Sequence, residues 1–196
     1  LAIGTGVRLV STEKLYNQGN IINTENSLDL TIDGPGFFQV LTPGGQIAYT
    51  RSGNLTRNAQ GQVVTANGYP LEPAITIPQN ATSISVSKDG IVSVGVPGSN
   101  KLDQVGQIEI ATFPNVSGLK PMGESLAMAT PSSGDAIIAA PGTNGAGKII
   151  QGALESSNVN VVEELVSMIE TQRAYEVNSK AISAVDGMMK FLTQSV

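Results

Sequence analysis

The stretch VEELVSMIETQRAYEVNSKAIS, residues 162–183, has helical spacing throughout and contains no proline. Just upstream, Asn160 is followed three residues later by Glu163, which is the spacing of a capping box with Asn as the N-cap. Glu163 and Glu164 lie in the first turn, where the helix dipole favours anions. The sequence therefore predicts one long helix that starts at Asn160 and continues to about Thr193.

Apolar side chains recur along this helix at spacings of three and four residues and form a broad apolar face, interrupted by Gln172, Ser179 and Asp186. A helix of this length extends about 50 Å, which is more than a small domain covers. An ordinary intramolecular core stripe is the alternative, but we expect a second helix or another chain to cover the face. The expected subunit-interface residues are Val161, Val162, Leu165, Val166, Met168, Ile169, Tyr175, Ile182, Val185, Met189 and Leu192.

The sequence before the helix reads as short strands separated by turns. Three hairpins are predicted, because glycine-containing turns separate runs of strand-forming residues. Their arms are residues 37–41 with 46–50, 55–57 with 62–65, and 83–87 with 91–94. A further strand is predicted over residues 105–113.

Glycine and proline recur over residues 114–148, which we expect to form loops, with short strands at 126–128 and 149–154. The expected organisation is an extended connector at 1–26, a β-rich central domain at 27–157 and an axial helix at 158–196. The predicted fold class is mainly β, with an irregular central domain of hairpins and turns and one long C-terminal amphipathic helix. Because the chain begins with Leu1 rather than Met, we expect it to be a fragment or a processed product.

Composition argues against several functions. The chain has a net charge of −5 and only 4% aromatic residues. It therefore lacks the positively charged surface and the stacking aromatic side chains that bind nucleic acids. The 196 residues include no cysteine and no histidine, so a Ser-His-Asp triad and a His or Cys zinc site are excluded. No EF-hand or phosphate-loop spacing is present. We expect no catalytic residue, no cofactor, no metal, no nucleic acid and no small-molecule substrate.

Several segments together resemble the bacterial flagellar rod and hook proteins. The segments NVNVVEELV and ETQRAYEVNSKA are similar to the C-terminal signature of that family, and the others are similar to its central domain. They are residues 158–166 and 170–181 for the signature, and DGPGFFQV (33–40), YTRSG (49–53), GQVVTANGY (61–69), ITIP (75–78) and DGIVSV (89–94) for the central domain.

The resemblance implies a non-enzymatic structural subunit. The short stretch between the central block and the helix is most similar to the distal rod type, with the proximal rod and hook paralogues as alternatives. Such subunits assemble helically with their own copies into a hollow tube that transmits torque from motor to hook and lets exported subunits pass. The implied partners are other rod subunits, the hook protein, and the periplasmic and outer-membrane bushing rings.

The resemblance also implies a location in the flagellar basal body, as a periplasm-spanning rod exported by the flagellar type III apparatus. Family members begin with an N-terminal helix that pairs with the C-terminal one, and we expect such a segment to precede Leu1.

A second function class stays open, namely a secreted carbohydrate-active β domain with a helical tail. Glycosidases use two carboxyl groups and need no histidine, and they hold those groups about 5–9.5 Å apart in a cleft. Glu163 and Glu164 do not form such a pair, because adjacent residues on a helix do not face each other.

Overall fold

The structure is a computed structural model that describes Arg8 and residues 14–98 and 101–194. It divides into two compact units, Leu1–Ser157 and Asn158–Val196. The first unit is a β body and the second carries the helix α1 (Val161–Gln194), which confirms the predicted fold class. The strands of the described residues are β1 (Ile21–Asn23), β2 (Leu30–Asp33), β3 (Phe37–Leu41), β4 (Ile47–Thr50), β5 (Leu55–Arg57), β6 (Val63–Thr65), β7 (Leu71–Glu72), β8 (Ser83–Val86), β9 (Ile91–Gly95), β10 (Leu102–Gln107), β11 (Ile110–Thr112), β12 (Lys120–Gly123), β13 (Leu126–Met128), β14 (Ile137–Ala139), β15 (Lys148–Gln151) and β16 (Ala153–Glu155).

The largest sheet is antiparallel and has the order β12-β13-β4-β3-β11-β14, with β7 also paired to β3. A second sheet has the order β10-β9-β8, and the remaining strands pair as β1 with β16, β2 with β15 and β5 with β6. The three predicted hairpins are confirmed as β3–β4, β5–β6 and β8–β9. In the last of them Ile84 lies opposite Val94 and Val86 opposite Val92, so the apolar residues of both arms share a face.

The single strand predicted over residues 105–113 is wrong, because the chain changes sheets there. β10 pairs with β9, whereas β11 pairs with β3 and β14 of the largest sheet. Between them Ile108 is buried, and its backbone N–H donates to the carbonyl of Gly90 at 2.8 Å. That hydrogen bond to a turn ends the first ladder before the second begins.

The segment 149–154 is likewise two strands rather than one. Gly152 has a φ of +75° and separates β15 from β16. Its N–H donates to the carbonyl of Asp29 at 2.8 Å, and its carbonyl accepts from Thr24 at 2.7 Å. The left-handed backbone that glycine tolerates thus turns the chain from one partner strand to another.

The prediction of loops over residues 114–148 missed β12 and β14, which lie at the two edges of the largest sheet. An edge strand pairs on one side only, so residues that are unfavourable in a central strand, such as Pro121, are tolerated there. The short strand predicted at 126–128 is confirmed as β13.

Strand β3, in the middle of the largest sheet, is buried on both faces. Phe38 and Val40 point into the main core, whereas Phe37 packs in a second cluster with Tyr49 and Phe113. The aromatic rings of this cluster meet edge to face, with centroids 4.8 Å apart for Tyr49 and Phe113 and 6.0 Å apart for Phe37 and Phe113. Burial raises the pKa of Tyr49. The run FFQV is therefore mostly apolar, and its one polar side chain, Gln39, is buried as well, because the strand is covered on both sides.

A largely buried ion pair between Arg51 and Glu155, whose side chains are 17% and 11% exposed, joins distant parts of the β body. The guanidinium donates to the carbonyls of Gly34 and Gly36 at 2.9 Å and of Ile32 at 3.1 Å, and it contacts the Glu155 carboxylate at 2.8 Å. The other carboxylate oxygen of Glu155 accepts from the N–H of Gly19 at 3.0 Å. The pair thus fixes the β2–β3 turn, the last strand and the segment before β1 to one another.

Replacing Thr31 with valine is expected to stabilise the protein. Thr31 is fully buried in β2, and within the described residues its hydroxyl has no hydrogen-bond partner. An unpaired buried polar group costs about 1–3 kcal/mol, so a methyl group in its place should raise the free energy of unfolding by about 1 kcal/mol. Urea unfolding followed by the near-ultraviolet circular dichroism of the tyrosines measures the change.

Thr50→Val provides the matched control. The Thr50 hydroxyl is also buried but donates to the carbonyl of Ser125 at 3.0 Å and accepts from the N–H of Ser52 at 3.1 Å. This variant should be less stable than the wild type. Equal destabilisation by both substitutions would show that the Thr31 hydroxyl has a partner in solution.

Candidate assembly surface

The start of α1 is set by Asn160. Its side-chain oxygen accepts from the N–H of Val162 at 3.2 Å, and its carbonyl accepts from the N–H of Glu164 at 3.1 Å. The predicted N-cap is therefore confirmed. Glu163 and Glu164 occupy the first turn, where their charge offsets the helix dipole.

The predicted interface residues all lie on α1, and those whose side chains the structure describes are exposed to solvent. Among those with described side chains, exposure ranges from 49% for Ile169 to 76% for Tyr175. The side chain of Leu192 lies outside the described residues. Large exposed apolar side chains of this kind form a candidate interaction surface.

Phe191 is a further exposed apolar residue of α1 that is not among the predicted interface residues. Phe191 is 73% exposed and follows Met188 by three residues, so it falls on the same face of the helix. That spacing is the signal that identifies it. Val177 and Met188, which are apolar residues of α1 outside the predicted interface, are exposed in the same way.

Several polar side chains of α1 are satisfied within the helix. The hydroxyl of Thr171 donates to the carbonyl of Ser167 at 2.9 Å, and that of Ser183 donates to the carbonyl of Ser179 at 2.9 Å. These hydroxyls do not need a partner from outside, so packing a neighbour beside them leaves no orphaned donor.

Metal binding and membrane crossing find no support in the described part of the chain. Over residues 14–98 and 101–194, no three or more Asp or Glu side chains are grouped so that they could hold a metal ion. Within the same ranges, no helix combines the length and the apolar character needed to cross a bilayer. The apolar surface of α1 is therefore the candidate functional site.

Comparison with known proteins gives two family matches, one in the β body and one that includes the helix. The family model described as the flagellar hook protein FlgE/F/G D1 domain matches residues 31–94. The model described as the flagellar basal body rod FlgEFG protein C-terminal matches residues 150–195, which include α1.

Individual relatives match nearly all of this chain. The flagellar basal-body rod protein FlgG of Buchnera aphidicola subsp. Schizaphis graminum is 52% identical over 99% of this chain and 75% of its own length. That of Caulobacter vibrioides is 46% identical over 98% of this chain and 73% of its own length. The flagellar basal-body rod protein FlgF of Caulobacter vibrioides is 37% identical over 84% of this chain and 64% of its own length.

Proposed function

The chain belongs to the FlgG family of flagellar basal-body rod proteins, and we propose that it is a structural subunit of the distal rod. In this proposal copies of the chain assemble helically into a hollow tube that transmits torque from the motor to the hook and lets exported subunits pass. Its further partners are other rod subunits, the hook protein and the periplasmic and outer-membrane bushing rings. Export by the flagellar type III apparatus is part of the same proposal.

The observation that supports the proposal is the exposed apolar surface of α1, which extends along a helix of 34 residues. Covering the exposed half of one Leu or Ile side chain is worth about 1 kcal/mol. Association costs an estimated 4–15 kcal/mol in lost freedom, so a weakly apolar helix would not hold a subunit in place. The eleven predicted interface residues, Val161 to Leu192, together offer enough apolar surface to offset this cost when they are covered.

The rival hypothesis of a carbohydrate-active domain has no comparable support, because the relatives carry the name of rod proteins. Arg51 also engages Glu155, a partly buried carboxylate close to the helix in sequence, in an ion pair. A carboxylate held in that way is a structural element rather than a free general acid. We assign no catalytic residue.

Replacing Leu165 with aspartate is expected to abolish rod assembly. The change places a charge in the middle of the apolar surface, and burying an unpaired carboxylate costs several kcal/mol. The full-length protein, produced in cells that build the rod, is examined by electron microscopy of isolated basal bodies and by swimming in soft agar. The wild type should form complete rods, and Leu165→Asp should not.

Ser167→Asp is the control, because it introduces the same charge two residues away on the polar side of the helix. This variant should assemble and support swimming. Normal rods and swimming in Leu165→Asp, or equal loss in both variants, would contradict a role for the apolar surface in assembly.

A further inference from the structure

The pair Asn-Gly occurs twice in the sequence, at residues 67–68 and 144–145, and both pairs lie in exposed turns of the β body. At an Asn-Gly pair the backbone readily attacks the asparagine side chain, because glycine has no side chain to shield its backbone nitrogen. The two turns differ in what holds the reacting groups. This difference decides which of the two asparagines reacts in the folded protein.

Both reacting groups of the first pair are held by hydrogen bonds. The backbone N–H of Gly68 donates to the carbonyl of Thr65 at 2.9 Å. The side-chain amide of Asn67 donates to the Glu124 carboxylate at 3.2 Å, and the Tyr69 hydroxyl donates to the same carboxylate oxygen at 2.9 Å. Attack by the Gly68 nitrogen requires its own hydrogen bond to break, and turning the amide toward that nitrogen breaks the other.

The reacting groups of the second pair have no such contacts. Within the described part of the β body, neither the N–H of Gly145 nor the side chain of Asn144 has a hydrogen-bond partner. The hydrogen bond that closes the turn runs from the N–H of Ala146 to the carbonyl of Thr143 at 2.8 Å and uses neither group. A Cβ added to Gly145 would meet no atom within 4 Å, so the space around the attacking nitrogen is open.

The turn itself explains why this pair occurs between β14 and β15. Asn144 has a φ of +50° and Gly145 a φ of +77°, which is the type I′ geometry that favours Asn-Gly. The backbone must rotate about Asn144 before the nitrogen of Gly145 reaches the side-chain carbon. Within the turn, the single hydrogen bond from Ala146 to Thr143 opposes this rotation.

We propose that Asn144 is a modification site at which the folded chain deamidates spontaneously. The backbone nitrogen of Gly145 gives its proton to solvent and attacks the side-chain carbonyl carbon of Asn144. The bond from that carbon to Nδ2 breaks and ammonia leaves, so that a cyclic imide remains. Water then opens the imide at either carbonyl and yields aspartate or isoaspartate at position 144. No group is oxidised or reduced, and solvent water is the co-reactant.

The isoaspartate product alters the backbone next to packed residues. Its main chain runs through the side-chain carbons and is longer by one methylene group, so the turn cannot close as before. Ala146 is buried in the main core beside the turn, and the N–H of Gly147 donates to the carbonyl of Pro35 at 2.7 Å. We therefore expect the modified protein to lose the hydrogen bond of Ala146, which hydrogen exchange detects as faster exchange of that amide.

Peptide mapping by mass spectrometry tests the proposal. The purified full-length protein is kept folded at mildly alkaline pH and, in parallel, denatured in guanidinium chloride, and the asparagine, aspartate and isoaspartate forms of both peptides are followed with time. In the folded protein Asn144 should react at least about ten-fold faster than Asn67, because two hydrogen bonds, one of them to a charged group, protect Asn67. In the denatured protein the two asparagines should react at similar rates.

Two variants serve as controls. Asn144→Gln should abolish the modification, because the longer side chain would have to close a larger ring that forms more slowly. Glu124→Gly removes the carboxylate that holds the Asn67 amide, at a residue whose φ of +52° glycine tolerates. This variant should increase the deamidation rate of Asn67 and leave that of Asn144 unchanged.

The proposal concerns the folded chain alone and does not depend on rod assembly. If Asn144 stays unmodified in the folded protein while it reacts in the denatured one, the proposal is wrong. A folded-state rate at Asn144 no higher than that at Asn67 would overturn it as well.

Discussion

Replacing Gly53 with alanine is expected to unfold the β body. A Cβ at this position would lie 1.6 Å from the carbonyl oxygen of Leu30 and 2.7 Å from its carbonyl carbon. Both are backbone atoms of β2, which is paired to β15 and buried, so they cannot move aside like a side chain. The N–H of Leu30 also donates to the carbonyl of Gly53 at 2.9 Å. We expect a loss of about 4 kcal/mol or more, which is close to the whole stability of many domains.

Gly44→Ala is the control for this prediction. Gly44 lies in the β3–β4 turn, and its added Cβ would meet only the Thr42 hydroxyl oxygen, at 4.0 Å. We expect its stability to stay within about 0.5 kcal/mol of the wild type, as for most surface substitutions. Urea unfolding and the yield of soluble protein measure both variants. If Gly53→Ala unfolds at the same urea concentration as Gly44→Ala, the close approach to β2 does not exist in the folded protein.

Replacing Arg51 with methionine should cause the second largest decrease in the free energy of unfolding. The substitution leaves the Glu155 carboxylate without its cation and takes the donors away from the carbonyls of Ile32, Gly34 and Gly36. The two side chains are only 17% and 11% exposed, so water compensates little. Removing one partner of a buried pair costs about 3–5 kcal/mol, and we expect a decrease in this range in urea unfolding.

Two further variants show whether that loss comes from the pair itself. Arg51→Lys keeps the charge but lacks the planar guanidinium that donates to several acceptors at once. Its stability should therefore lie between those of the wild type and Arg51→Met. The double variant Arg51→Met with Glu155→Leu removes both charges and should recover part of the loss. A double variant less stable than Arg51→Met would mean that the carboxylate has a sufficient partner elsewhere.

The hairpins and the helix could be predicted because their signals are local. Asp89-Gly90 supplies the tight turn of β8–β9, and Gly90 indeed has a φ of +80°. Asn160 supplies the cap of α1. The edge strands β12 and β14 could not be predicted, because their pairing depends on a sheet already formed by distant residues rather than on their own propensity.

The long-range contacts could not be predicted either, because they too depend on residues that are distant in sequence. Nothing near Arg51 indicates that it reaches Glu155, which lies 104 residues further along the chain. On α1 the apolar residues themselves were found from their spacing. The spacing of near neighbours does not show, however, that Leu165 and Val185 lie on opposite sides of the helix, because that depends on the angle accumulated over the turns between them.

The pairing of β1 with β16 has a consequence for how such a chain can vary. Ile21 lies opposite Glu155 and Asn23 opposite Ala153, so the first and last strands of the described β body are adjacent and antiparallel. The other strands of the described residues lie between these two in sequence, as an insertion. Such an insert can grow, shrink or be exchanged without altering the distance between the segments that flank it. The β body and the helix can therefore vary independently of each other in evolution.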